Sequence, residues 1–377
     1  MSLYEVTSTS SVEQPSTSDI EPIYVAQRLD HNELKEESDI ITCKTNLDGL
    51  SCKNCGTEIS PSMQELKKYR RKLFLKEVMM SNSKCFYYTG VPSVKILQGL
   101  YDWVEPSARD IKLWGGKRKM TPLRKQGRRR KIMTLFEEYV LTLVRIKRGF
   151  GLTHLEYLFG ISESHISRIF TTWVNLLSKC MEQLIIWPAK NVVKDNLPNS
   201  FQQFSNTRCI IDCSELFVEK PFRPIAQRIT WSNYKHSNTF KFLVGIMPTG
   251  AITFISKLYS GSISDQAIVD QSNFVDKVEE GDDIMADTGF NIRHLLLPKK
   301  ATLNIPAFSH GKNLSSKAIK KSRKIASVRI HVERAIRRMK IFKILNGIIP
   351  LKLRYLLNQI LKIVVVLCNL QGRLVKD

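Results

Sequence analysis

The chain has 377 residues, 43% of them hydrophobic and 25% charged, which excludes a fibrous or wholly disordered protein and leaves room for about two domains. Lysine and arginine number 58 against 35 acidic residues, and the resulting net charge of +23 favours nucleic acid as a partner over a surface that is basic only for solubility. The first residues are polar and no apolar run reaches about 18 residues, so we expect neither secretion nor membrane insertion.

Residues 1–60 are predicted to be an acidic, disordered segment, because they hold 11 acidic and 4 basic residues, are rich in serine and threonine, and lack apolar periodicity. Cys52 and Cys55 form the one CxxC pair of the chain. A structural zinc ion needs four ligands, and no second pair follows at a regular spacing. Zinc binding therefore stays open, and the pattern favours reduced thiols in a nuclear or cytosolic protein.

Residues 61–131 are predicted to form a basic helical segment and linker. A helical apolar pattern runs from Val91 to Val104 and is expected to end before Pro106. Dense basic clusters follow, which suit nuclear import and equally suit contact with DNA phosphates, so we expect a nuclear protein. Within these clusters we predict DNA contacts from Arg128, Arg129 and Arg130.

Residues 132–190 show the pattern of a helix-turn-helix DNA-binding domain. An apolar-periodic helix over Met133–Lys147 ends at glycines, and a short helix over Leu152–Phe159 leads into a glycine turn. Ser162 then occupies the N-cap position of a further amphipathic helix. In this motif the outer face of that helix enters the major groove, which we favour over a plain three-helix packing unit. The residues predicted to contact DNA there are Ser164, His165, Ser167, Arg168 and Thr171.

Residues 200–375 are predicted to form an α/β domain with a mixed sheet, because short apolar runs alternate with helical patterns. Two of these runs, over Arg208–Cys213 and 282–287, are typical of buried strands that end at an acid. The other predicted elements are a hairpin over Thr239–Met247 and Ala251–Ser260, a short helix over Asp265–Asp270 capped by Ser264, a strand over Ala301–Ile305, and helices over Ser315–Ile344 and Leu351–Leu370.

Three acids in this domain are candidate metal ligands. Asp212 and Asp287 each end an apolar strand, and Glu333 lies in the long helix with Arg329 and Arg337 four residues to either side. Neighbouring strand ends meet at one sheet edge, and carboxylates there can hold the divalent cations that phosphoryl transfer on DNA requires. Each acid alone is as well explained by a strand-end cap or a helix-surface ion pair, but the ordered triplet favours a metal site.

Five segments closely resemble eukaryotic DDE-type transposases of the Harbinger-like, insertion-sequence-related branch. The segments are 210–221, 231–239, 261–265, 286–290 and 323–334, within a resemblance that covers about four-fifths of the chain. The resemblance implies a ribonuclease-H-like nuclease domain preceded by an all-α helix-turn-helix domain. It also implies that Asp212, Asp287 and Glu333 are catalytic acids that bind Mg²⁺ or Mn²⁺, and that Asp265 is an accessory group rather than a ligand.

The implied activity is that of a transposase that cleaves transposon ends and joins them to target double-stranded DNA. We expect it to act as a homo-oligomer on DNA without a small-molecule cofactor. Basic residues of the long helix are expected to hold phosphates near the site: Arg329, Arg334, Arg337, Arg338 and Lys340. Glu215 and Glu219 also match the family but are expected to serve structure. The alternative is a domesticated, non-catalytic, sequence-specific DNA-binding regulator.

Overall fold

The computed structural model describes residues 62–115, 132–307 and 315–375. The predicted acidic segment, Cys52, Cys55 and the three arginines Arg128, Arg129 and Arg130 lie outside the described residues, so the expectations about them stay predictions. The domain boundaries inferred from the sequence likewise stay predictions.

The first part of the described chain is helical. Its helices are α1 (Met63–Met79), α2 (Asn82–Thr89), α3 (Val94–Ala108), α4 (Leu135–Arg148), α5 (Leu152–Phe159) and α6 (Glu163–Met181). The side chains of Ser62 and Thr134 each accept a bond from the backbone three residues on and complete capping boxes, which explains where α1 and α4 begin. The expected end of α3 was wrong, because the helix continues through Pro106 to Ala108. A proline in the final turn removes only one backbone donor, so the helix can extend past it.

The turn between α5 and α6 is closed by Gly160, whose φ of 66° ends α5 in the left-handed conformation. Helix α1 packs against this turn through Arg71, which is only 6% exposed. Its guanidinium donates to the carbonyl oxygens of Phe159 at 3.0 Å and Ile132 at 2.9 Å, and it pairs with Glu137 at 3.1 Å. The helix-turn-helix is therefore tied to α1 and to the start of α4.

The second part contains a seven-stranded sheet and the remaining helices. The strands are β1 (Thr207–Phe217), β2 (Trp231–Ser232), β3 (Ser237–Ile246), β4 (Ile252–Ile255), β5 (Tyr259–Ser260), β6 (Asp283–Met285) and β7 (Thr302–Asn304). The helices are α7 (Lys190–Asp195), α8 (Pro224–Thr230), α9 (Asp265–Gln271), α10 (Arg293–Leu296), α11 (Ser316–Lys340) and α12 (Leu357–Asn369). None of the helices in the described parts of the chain combines the length and apolar character needed to cross a bilayer.

The sheet is mixed, as predicted. β1 is central: it pairs antiparallel with β3, which pairs antiparallel with β4, and on its other side it pairs parallel with β6, which pairs parallel with β7. Three antiparallel strands followed by two parallel ones give the ribonuclease-H-like order. The short β2 and β5 extend β3 at its ends.

Alternate residues of β1 enter two different hydrophobic cores. Ile210 belongs to the core that contains the buried faces of α11 and α12, whereas Ile211 belongs to a core with α9 and α10 residues. Each face of the sheet is thus covered by its own pair of helices, and β1 is buried on both faces. This explains why Cys209, Ile210 and Ile211 are consecutive apolar residues in this strand.

The predicted hairpin and Ser264-capped helix are confirmed, and the two long helices are shorter than expected. The Ser264 hydroxyl accepts a bond from the backbone of Ala267 at the start of α9. Helix α11 stops at Lys340 and α12 starts only at Leu357. The residues between them form two single 3₁₀ turns, one of which follows Pro350.

Candidate active site

Asp212 and Asp287 occupy equivalent positions on neighbouring parallel strands. Ile210 of β1 pairs with Met285 of β6, and each acid lies two residues beyond that pair. Because parallel strands run in step, the two acids lie at the same level of the sheet, just past the end of β6. The prediction that Asp212 ends its strand was wrong, because β1 continues to Phe217 and Asp212 pairs with Val244 of β3 in the middle of the strand.

The Asp212 carboxyl group is half-buried and lies near two other carboxyl groups. Burial raises its pKa to about 6, and the neighbouring Asp287 and Asp265 add to the rise. Arg329 opposes it, as does the Cys213 backbone N–H, which donates to Oδ1 of Asp212 at 2.9 Å. The carboxyl groups of Asp212, Asp287 and Asp265 therefore influence one another, with Arg329 as the opposing charge.

Arg329 joins the other two acids of the predicted triad. Its Nη2 atom lies 3.6 Å from Oδ1 of Asp287 and 3.1 Å from Oε1 of Glu333, one helical turn along α11. The backbone N–H of Thr288 also donates to Oδ1 of Asp287 at 2.8 Å. Asp287 and Glu333 therefore share one guanidinium group, and Asp212 lies level with Asp287 on the neighbouring strand.

The donor set fits a divalent ion in its chemistry. Within the three described ranges, no three His, Cys, Asp or Glu side chains are gathered closely enough to enclose a metal. The acids at this edge nevertheless offer only oxygen atoms, which Mg²⁺ and Mn²⁺ prefer, and the positive charge between two of them is supplied by Arg329. Asp212, Asp287 and Glu333 are the residues that would hold the ion.

Asp265 lies at the margin of this site, at the start of α9. Its Oδ1 atom is 2.7 Å from Nζ of Lys241 on β3. The thiol of Cys213 lies against the same carboxylate, and its pKa is raised by burial and then by Asp265. Asp265 is thus oriented by two neighbours, consistent with an accessory position beside Asp212.

Sequence reasoning missed Lys241 and Cys213. Lys241 is the one charged residue in the apolar strand β3, which was the only available signal. Its partner Asp265 is separated from it by the β4 and β5 strands, so their contact depends on the tertiary fold.

Glu215 and Glu219, which were expected to serve structure, make hydrogen bonds within the protein. Arg338, which was expected to bind phosphate, instead bonds to backbone carbonyl oxygens. Glu215 is 6% exposed and accepts a bond from the Thr239 hydroxyl at 2.7 Å. Glu219 accepts from the backbone N–H of Leu351 at 3.0 Å. Arg338 donates to the carbonyl oxygens of Cys368 and Gly372, so it cannot extend freely toward DNA.

The remaining basic residues of α11 divide by exposure. Arg334 and Arg337 are exposed, as phosphate contacts require, whereas Lys340 is half-buried. Burial and the nearby Lys235 lower the pKa of Lys340, while Glu215 and Asp212 act in the opposite direction. Lys235 and Lys340 therefore border the acidic site.

The predicted DNA-reading face of α6 is only partly open. Ser164 and Arg168 are exposed, whereas His165, Ser167 and Thr171 are half-buried. Nε of Arg168 donates to the Trp114 carbonyl oxygen at 2.9 Å. Trp114, which precedes α4, thus contacts the face of α6 that was expected to be free for DNA. The two residues are 54 positions apart in sequence, so periodicity does not reveal this contact.

Two family models match the chain. The model described as DDE superfamily endonuclease matches residues 211–369, which include all three acids of the triad. The model described as helix-turn-helix of DDE superfamily endonuclease matches residues 130–183. No curated protein and no solved structure matches the chain. The two matches show that the chain is a transposase-like protein of the DDE superfamily with a helix-turn-helix domain.

Proposed function

We propose that this protein is a metal-dependent DNA endonuclease and strand transferase that cuts at transposon ends and joins them to target DNA. The observation that supports this most directly is that Arg329 pairs with both Asp287 and Glu333, while Asp287 lies level with Asp212 on the neighbouring strand. Their elements, β1, the end of β6 and α11, are independent in sequence and come together only in the fold.

The three carboxylates would hold Mg²⁺ or Mn²⁺. When bound, the metal supplies activation of the attacking oxygen and stabilisation of the leaving oxygen at phosphorus. The exposed Arg334 and Arg337 would bind the phosphates on either side of the cut.

The reaction has two displacements at phosphorus. Water adds to a phosphodiester and the P–O3′ bond breaks, which leaves a 3′ hydroxyl and a 5′ phosphate. That hydroxyl then attacks a phosphodiester of the target strand, so one P–O bond forms as another breaks.

The helix-turn-helix would supply affinity for double-stranded DNA. The exposed Ser164 and Arg168 are the residues on α6 best placed to reach bases or phosphates once the contact of Arg168 with Trp114 is released. Nuclear residence and assembly into homo-oligomers on DNA belong to the same proposal, and rest on the basic clusters of the sequence and on the family resemblance.

A second function, DNA binding without cleavage, is favoured by one observation. Arg329 already neutralises Asp287 and Glu333, so the carboxylates have a stable arrangement that involves no ion. A regulator descended from the enzyme would keep the fold and the basic surface in this state.

Cleavage of plasmid DNA by the full chain with Mg²⁺ or Mn²⁺ tests the first function. We expect nicking that is abolished by Asp212→Asn and Glu333→Gln and retained by Asp270→Asn, which changes an exposed acid on α9. Wild-type protein that binds duplex DNA yet cleaves no more than Asp212→Asn refutes catalysis and supports the regulator.

A further inference from the structure

A group of large apolar side chains is exposed on the insertion between β1 and β3. Phe222 is 96% exposed, Tyr234 79% and Trp231 42%. Ile225 and Ile229 are also exposed and lie one turn apart on the same face of α8. We call Phe222, Ile225, Ile229, Trp231 and Tyr234 the aromatic surface.

The backbone beneath this surface is fixed. The Thr230 hydroxyl donates to the buried Asn238 side chain at 2.9 Å, and Trp231 pairs with Asn238 in the short β2–β3 ladder. Ser232 is 2% exposed and accepts a bond from the backbone of Lys235. The aromatic rings are thus presented from an ordered support, which lowers the entropy cost of binding on them.

The segment that carries the aromatic surface has only positive charges in its sequence. Residues 220–264 include no Asp or Glu, and four basic residues lie among the exposed rings: Lys220, Arg223, Arg228 and Lys235. Nζ of Lys235 is 4.2 Å from the centre of the Tyr234 ring. Two copies of this chain that met through this same surface would bring like charges together, which disfavours that contact.

Aromatic rings beside lysine and arginine match one ligand chemistry in particular. Paired DNA offers phosphates but hides its base faces in the stack, whereas an unpaired strand offers both phosphates and base faces. Strand β3 connects the surface with the acidic site: Trp231 pairs with Asn238, and Asp212 pairs with Val244 six residues further along, so the two lie about 20 Å apart and one DNA strand can reach both.

We propose that the aromatic surface binds an unpaired nucleotide of the DNA strand whose phosphodiester the acids cleave. Trp231 and Tyr234 stack on its base, and the surrounding lysines and arginines contact its phosphates. The inference rests on the proposed function, and it adds a preference for locally opened DNA over a fully paired duplex.

The test compares two DNA probes of the same length and sequence, one fully paired and one with a short mismatched stretch that contains 2-aminopurine. Both are titrated with the full chain in EDTA, so that the result does not depend on cleavage. Wild-type protein is expected to bind the mismatched probe more tightly and to change the 2-aminopurine fluorescence. The double variant Trp231→Ala, Tyr234→Ala is expected to lose about tenfold in affinity for that probe and to keep its affinity for the paired one.

Two further single variants test whether the effect belongs to the aromatic surface. Trp103→Ala removes a tryptophan on α3 that is 40% exposed, close to the 42% of Trp231, and is expected to leave both affinities unchanged. Phe222→Ser changes a side chain that is 96% exposed and is expected to weaken binding of the mismatched probe without affecting folding.

Equal affinity of the double variant and wild type for the mismatched probe overturns the inference, and so does an equal loss on both probes. A double variant that changes only the sedimentation of the free protein also overturns it, and would assign the surface to contact between copies. Tight binding of the paired probe in any of these outcomes leaves the proposed DNA function intact. Wild-type protein that binds neither probe overturns both.

Discussion

Gly160→Ala is expected to destabilise the helix-turn-helix strongly. The residue has a φ of 66°, and a Cβ atom added there would lie 2.6 Å from Cβ of Lys67 and 3.1 Å from its carbonyl oxygen. The left-handed conformation costs an L residue about 1–2 kcal/mol. The steric conflict with α1 adds about 1–3 kcal/mol, because the atoms concerned belong to or adjoin the helix backbone.

The expected loss in the free energy of unfolding is therefore about 2–5 kcal/mol. Urea unfolding followed by circular dichroism measures it, with Gly99→Ala as the matched control. Gly99 lies inside α3 with no atom within 4 Å of an added Cβ, so alanine there should stabilise the helix by about 0.5–1 kcal/mol. Duplex affinity should fall in Gly160→Ala and not in Gly99→Ala.

The reasoning is refuted if the two variants unfold at the same urea concentration. That result would mean that α1 moves away from the turn without loss, and that the bonds of Arg71 do not hold the two together.

Three further predictions concern charged contacts. Trp173→Phe keeps a buried aromatic ring of smaller size and removes the 2.8 Å bond from Nε1 to the buried Glu138. The lost bond should lower the free energy of unfolding in urea by about 1–3 kcal/mol, and the lost ring volume should lower it further; unchanged stability would contradict the prediction. Arg71→Met leaves Glu137 without its buried partner and should lower the free energy of unfolding in urea by about 3–5 kcal/mol. A loss below about 1 kcal/mol would contradict this and show that the residues around Glu137 rearrange. Arg329→Met should lower the free energy of unfolding by only about 1 kcal/mol, because the two carboxylates that Arg329 joins are half-exposed. The variant should also show a larger Mn²⁺-induced rise in melting temperature in calorimetry, since the guanidinium no longer competes with the ion. A smaller rise than in wild type would refute the competition.

The elements that hold the triad were predictable because their signals are local, but the end of β1 was not, since the strand continues past Asp212 to Phe217. An apolar run that ends at Asp212, another that ends near Asp287, and a long amphipathic helix around Glu333 are all visible as periodicity. The proximity of Arg329 to Glu333 also follows from helical spacing. The contact of Arg329 with Asp287 does not, because it depends on how α11 crosses the sheet.

The features that were missed depend on contacts between distant segments. Lys241 meets Asp265 only because β3 lies beside the start of α9, and Arg168 meets Trp114 across 54 positions. The end of α3 was misplaced for a different reason, since the preference of a proline for a helix boundary is weaker than the packing that continues the helix past it.

The division of β1 between two cores makes this strand sensitive to length rather than to composition. Exchanging one aliphatic residue for another at Ile210 or Ile211 changes the volume of a single core, and such exchanges are tolerated in most proteins. Inserting or deleting one residue before Asp212 would instead send every side chain of the strand to the opposite core and turn the carboxylate away from Arg329. In copies of the gene that diverge over time, the gain of a single codon in this strand would end function at once. Many aliphatic substitutions could accumulate in the same strand before function is lost.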